Sequence, residues 1–120
     1  MKLRIKGNTI RIRLSETEVN LLAEGSIVVE ETHFPSSKLT YKIQPSTSES
    51  IDFTDGVVQV NLTQGEIDRW AKTDEVTISK DIAIPNDNIL GILVEKDFKC
   101  LTVRPEDESE LYPNPTKHHC

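Results

Sequence analysis

The chain has 120 residues, 36% hydrophobic and 28% charged, with a formal net charge of −6. That balance excludes an intrinsically disordered chain, and no run approaches the roughly 18 apolar residues a spanning helix needs. The negative charge argues against bulk nucleic-acid binding, which draws on surplus Lys and Arg to neutralise phosphates.

A chain of this length suits one domain, able to bury roughly two-thirds of its unfolded surface without staples. It opens on MKLRIKGNTIRIRL, Met1 to Leu14, which alternates charge with hydrophobe around Gly7-Asn8. This reads as two strands joined by a two-residue turn, where Gly supplies the positive φ a tight hairpin requires. Lacking an apolar h-region, the stretch is not a signal peptide, and a cytoplasmic protein is expected. In that compartment Cys100 and Cys120 are free thiols and the sequon Asn61-Leu62-Thr63 stays unmodified.

Ser15-x-x-Glu18 follows as a capping box, opening a short helix. Val19 and Leu22, three apart, face the sheet, and Gly25 stops the helix. A second hairpin pairs SIVVEET with KLTYKIQ around His33. The Ser-rich PSTSES, Pro45 to Ser50, then makes a join.

Beyond it the pattern returns. Shifted by 48 positions, Ile10 falls on Val58, Ile12 on Val60, Leu14 on Leu62 and Ser15 on Thr63. Glu18 falls on Glu66, Val19 on Ile67 and Leu22 on Trp70. The correspondence reads as an internal duplication of a ββαββ unit. The second copy comprises IDFT and VVQV about Asp55-Gly56, a helix capped by Thr63-x-x-Glu66, and EVTISKDIAI with NILGILVEK about Pro85-Asn86-Asp87-Asn88. Thr63 thus has a capping role. Trp70 reads as core, the larger equivalent of Leu22, and so do Leu93, Val94 and Phe98.

The fold expectation is α+β, mostly β: two ββαββ units forming one barrel-like antiparallel domain with two short helices. A closed or nearly closed barrel would bury one common core and remove exposed strand edges. The domain spans 1–104, with pseudo-repeats at 1–44 and 50–98, followed by an acidic, Pro-containing extension over 105–120.

The strongest candidate site is the opening hairpin. The first 13 residues hold Lys2, Arg4, Lys6, Arg11 and Arg13 and no acid. A two-residue turn sets Arg4 across from Arg11 and Lys2 across from Arg13 on one face, where like charges are unfavourable by a few tenths of a kcal/mol each. The second copy places Asp52 against Gln59 and Ser50 against Asn61, so the architecture does not demand a basic cluster. Three readings remain open: a solvated face partnered by Glu30 and Glu31; a cover formed by Glu106, Asp107, Glu108 and Glu110; and an anion-binding site. No aromatic interleaves the cations, which disfavours DNA or RNA as the anion.

Near the C-terminus, EKDFKCL and EDESELYPNP, together with the opening MKLRIKGNTIRIRLSETEV, resemble a small uncharacterised bacterial family, a domain of unknown function. The resemblance implies a bacterial, cytoplasmic, compact domain and assigns no chemistry. Cys100, His118, His119 and Cys120 are zinc-type ligands without C-x-x-C or H-x₃₋₅-H spacing. The acids of PEDESELY lack the frame of a calcium loop. No cofactor or metal is therefore expected.

A non-enzymatic binding or interaction module is the leading reading, engaging an anionic protein or small ligand through the basic hairpin. The alternative is a small metal- or thiol-dependent enzyme using Cys100, flanked by Lys99, with His33 as the internal base candidate. No G-x-S-x-G, H-E-x-x-H, phosphate loop or dinucleotide fingerprint supports catalysis.

Overall fold

The structure is a computed structural model and describes residues 1–98. The order is β1 (Lys2–Lys6), β2 (Thr9–Leu14), α1 (Glu16–Ala23), β3 (Val28–His33) and β4 (Lys38–Ser46), then β5 (Ser50–Thr54), β6 (Val57–Thr63), α2 (Gln64–Lys72), β7 (Thr77–Ile84) and β8 (Asn88–Lys96). The α+β, mostly β class and the ββαββ order in each half both hold.

Local chemistry starts each element where expected. Ser15 Oγ accepts the Glu18 N–H while Glu18 Oε1 accepts the Ser15 N–H at 2.9 Å. Thr63 and Glu66 repeat the exchange at the start of α2. The β5–β6 turn has both central residues in the left-handed region, Asp55 at φ 52° and Gly56 at φ 77°, whereas in the β1–β2 turn Gly7 takes φ 55° and Asn8 stays negative.

The strands do not close into a barrel. They form two four-stranded sheets, ordered β1-β2-β8-β7 (sheet A) and β3-β4-β6-β5 (sheet B). Nor is either sheet purely antiparallel, because β2 lies parallel to β8 and β4 parallel to β6. Each sheet takes one hairpin from each half of the chain. This exchange meets the need for a common core without closure, and among the described residues it leaves β1, β7, β3 and β5 as edges.

The inner faces share one core. Ile12, Leu14, Ile78, Ile92 and Val94 come from sheet A, and Val28, Ile43, Val60 and Leu62 from sheet B. Val19, Leu22, Ile67 and Trp70 enter the same cluster from the helices, which pack on each other and each touch strands of both sheets. Trp70 is fully buried and donates its indole N–H to the Val76 carbonyl at 2.8 Å, so its one polar atom is satisfied.

Phe98, expected in the core, is 62% exposed. It follows the end of β8, at the rim of a depression that it lines together with Val19 and Asn20 of α1 and Ala71 of α2. Leu93 is half-buried on the outer face of sheet A, opposite in parity to Val94.

Candidate anion-binding face

Strand parity gathers the five cations named from sequence. Ile12 and Leu14 point into the core, so Arg11 and Arg13 point out. The antiparallel register sets Lys2 beside Arg13, Arg4 beside Arg11 and Lys6 beside Thr9. On the other side of β2, the parallel register sets Arg13 beside Glu95, Arg11 beside Leu93 and Thr9 beside Gly91. Strand β7 completes these rows with Thr77, Ser79 and Asp81. The outer face of sheet A is thus basic across β1 and β2 and becomes polar and acidic towards β7.

Among the described residues, Glu95 and Asp97 pair with cations of this face. Arg11 Nε lies 2.8 Å from Glu95 Oε1, Arg13 Nε lies 3.6 Å from the same oxygen, and Lys2 Nζ lies 2.8 Å from Asp97 Oδ2. The Arg11 contact is one of charge and not of an aligned N–H bond, since neither of its two atoms completes a hydrogen bond. One carboxylate therefore serves two guanidinium groups, those of Arg11 and Arg13.

Glu30 and Glu31, the partners in the solvated-face reading, serve elsewhere. Glu31 sits on sheet B with Lys38 Nζ at 2.7 Å, and that bond, aided by the charge of Lys38, holds its carboxyl below the usual range. Glu30 follows the inward parity of Val28 and accepts from the Met1 ammonium at 2.6 Å and from Tyr41 Oη. The Tyr41 phenol is raised above its usual value by burial and by the charge of Glu30. The missed acids did leave a signal: Glu95 and Asp97 alternate with Val94 in VEKDF, but placing them opposite β2 required knowing that β8 is its neighbour.

The equivalent surface of sheet B differs. There Ser50, Asp52, Thr54, Gln59 and Asn61 surround Val57 in a shallow polar depression of about 310 Å³. Gln59 donates to Asn61 at 3.1 Å and Asn61 to Ser50 at 2.8 Å, forming a neutral hydrogen-bonded row where sheet A carries arginines.

His33, considered as a base, is exposed, with Nε2 3.7 Å from Glu31. Cys100, His118, His119, Cys120 and the acids Glu106, Asp107, Glu108 and Glu110 lie outside the described residues. Among the described residues no three His, Cys, Asp or Glu side chains converge as a metal site, and no helix is long and apolar enough to cross a membrane.

No curated protein and no solved structure matches the chain. The family model described as "Family of unknown function (DUF7009)" matches residues 1–116, and the chain belongs to that family.

Proposed function

We propose that this protein is a non-enzymatic binding module that engages an anionic partner through the outer face of β1 and β2. One observation carries the reading. Lys2, Arg4, Lys6, Arg11 and Arg13 share one face that neither α1 nor α2 covers, while the equivalent positions of sheet B carry no cation. The ββαββ arrangement common to both halves does not require that contrast, and a concentrated positive field on a chain of net charge −6 favours association with negative groups.

The partner is an acidic protein segment in preference to nucleic acid. The rows across the face hold Leu93, Thr9, Ser79 and Gly91 among the charges but no aromatic ring on which a base could stack. Our reading further takes the protein to be bacterial and cytoplasmic, its two halves to have arisen by duplication, and residues 105–120 to form an extension of the single domain at 1–104. These rest on the sequence patterns above.

Poly-glutamate serves as the probe. Binding should weaken as salt rises and fall about tenfold in the Lys2→Glu, Lys6→Glu double variant. A Thr54→Glu, Asn61→Asp variant on sheet B should bind as the wild type does. Equal loss in both variants, or no binding at low salt, would sink the reading.

A further inference from the structure

Strand β1 is an edge: among the described residues its only neighbour is β2. In a two-residue hairpin the pair closing the turn exchanges both backbone bonds, and every second pair after it does likewise. With Lys6 opposite Thr9, the backbones of Lys6, Arg4 and Lys2 therefore turn towards β2. Those of Leu3 and Ile5 turn outward, offering two N–H donors and two carbonyl acceptors at the sheet edge.

The side chains along this edge alternate in chemistry as well as direction. Lys2, Arg4 and Lys6 project from the outer face. Leu3 packs partly against the core, and Ile5 is 59% exposed on the inner face. A strand added here would have every second side chain beside a cation and the intervening ones beside Leu3 and Ile5. Lysines on an edge commonly deter pairing with another copy. Two β1 edges brought together would repel, but the same charges select an acidic strand.

From this we infer that the partner is an extended peptide alternating acidic and β-branched apolar residues, and that it binds by adding a fifth strand to sheet A at β1. The inference rests on the anion-binding reading above and specifies its ligand. Acidic residues opposite Lys2, Arg4 and Lys6 supply favourable cross-strand pairs, apolar residues cover Ile5, and the backbone bonds to Leu3 and Ile5 set the register. The other edges lack this combination: β5 presents Asp52 between Ser50 and Thr54, β7 presents Ser79 and Asp81, and β3 presents Val29, Glu31 and His33.

The test uses the full 120-residue chain and a capped Glu-Val-Glu-Val-Glu-Val peptide, followed by amide hydrogen exchange. Peptide binding should slow exchange at Leu3 and Ile5 at least about tenfold and leave Ile51 and Phe53 on β5 unchanged. Replacing the pairing N–H groups of the peptide by N-methyl groups should weaken binding about tenfold or more. A Lys-Val peptide of the same length should not bind.

If the methylated peptide binds as well as the parent and only the outer face responds, strand addition is wrong while the anion-binding face stands. Binding by neither acidic peptide nor poly-glutamate overturns both readings. Amides of Leu3 and Ile5 already slow to exchange before any peptide is added overturn strand addition, since the edge would be occupied.

Discussion

Lys80 Nζ lies 2.8 Å from Glu66 Oε2 and 2.7 Å from Glu49 Oε2, joining sheet A to the first turn of α2 and to the segment before β5. The first half holds the same arrangement with its charges exchanged. There the Met1 ammonium sits 2.8 Å from Glu18 and 2.6 Å from Glu30. Met1 occupies the position of Glu49, Glu18 that of Glu66, and Glu30 that of Lys80. In both halves the capping-box glutamate uses Oε1 for the helix and Oε2 for the cation.

Removing Lys80 should cost more than removing an ordinary surface lysine. Glu66 is only 9% exposed, so Lys80→Met leaves a largely buried carboxylate without its cation. The expected loss is about 1–3 kcal/mol in urea unfolding. Lys38→Met, which breaks an exposed pair with Glu31, should change stability by less than about 0.5 kcal/mol. Equal effects would show that Glu66 is solvated in solution.

Ionisations on both sides of neutrality limit this stability: Glu18 on the acid side, and Lys80 together with the Met1 ammonium on the alkaline side. At Met1 burial opposes the charge, but the bonds to Glu18 and Glu30 outweigh it and raise the ammonium above its usual 8.0. Burial opposes the charge on Glu18, but the bonds from the Met1 ammonium and the Ser15 N–H outweigh it and hold the carboxyl below its usual 4.5. Its contribution is complete above pH 4.5 and is lost as pH falls through the lowered folded value. Hydrogen bonds to Glu49 and then Glu66 raise Lys80 above its usual 10.5, so its contribution is complete below that pH and is lost as pH rises through the folded value. Urea midpoints followed across pH should therefore decline on both sides of a plateau. Glu18→Gln should flatten the acid decline, and an unchanged acid slope in that variant would count against the assignment.

At Trp70 two contributions can be separated. Trp70→Phe keeps most of the ring volume but removes the donor to the Val76 carbonyl, at an expected cost of about 1–3 kcal/mol. Trp70→Leu, which installs the residue of the first half at Leu22, leaves a cavity as well and should cost about 3–5 kcal/mol. Circular dichroism is the suitable reading because the chain has a single tryptophan.

The turn glycines should respond unequally to alanine. At Gly7, φ is +55° and an added Cβ meets nothing within 4 Å, so Gly7→Ala carries only the backbone penalty of about 1 kcal/mol. At Gly56, φ is +77° and the Cβ would also come 3.1 Å from the Lys38 carbonyl oxygen. Gly56→Ala should be the more damaging of the two by thermal unfolding, and the reverse order would mean the β4 backbone yields freely.

Much of the fold was legible because its signals are local. Ser15 and Thr63 announce helix starts through short-range bonds, and Gly7-Asn8 and Asp55-Gly56 set the hairpin registers. The pairing of β2 with β8 has no such signal: Thr9 meets Gly91 across most of the described chain, with no turn to fix their register. Hence the barrel expectation, and hence the missed link between Arg11 and Glu95. Glu30 was readable in principle, since inward Val28 places it on the inner face two residues on. Its partner was not, because an α-amino group leaves no mark in a residue pattern. The basic face itself was visible from alternation alone.

The exchange of hairpins between halves also orders events during synthesis. Sheet B is one continuous block, Val28 to Thr63, and all its strands are synthesised before β7 and β8. Sheet A is assembled from the two ends. The basic hairpin emerges first and then waits for its parallel neighbour until β8 appears, so its inner residues Ile10, Ile12 and Leu14 stay uncovered on that side for most of translation. Pairings this distant in sequence close slowly. The nascent chain is accordingly most exposed to misassociation at the end that is synthesised first.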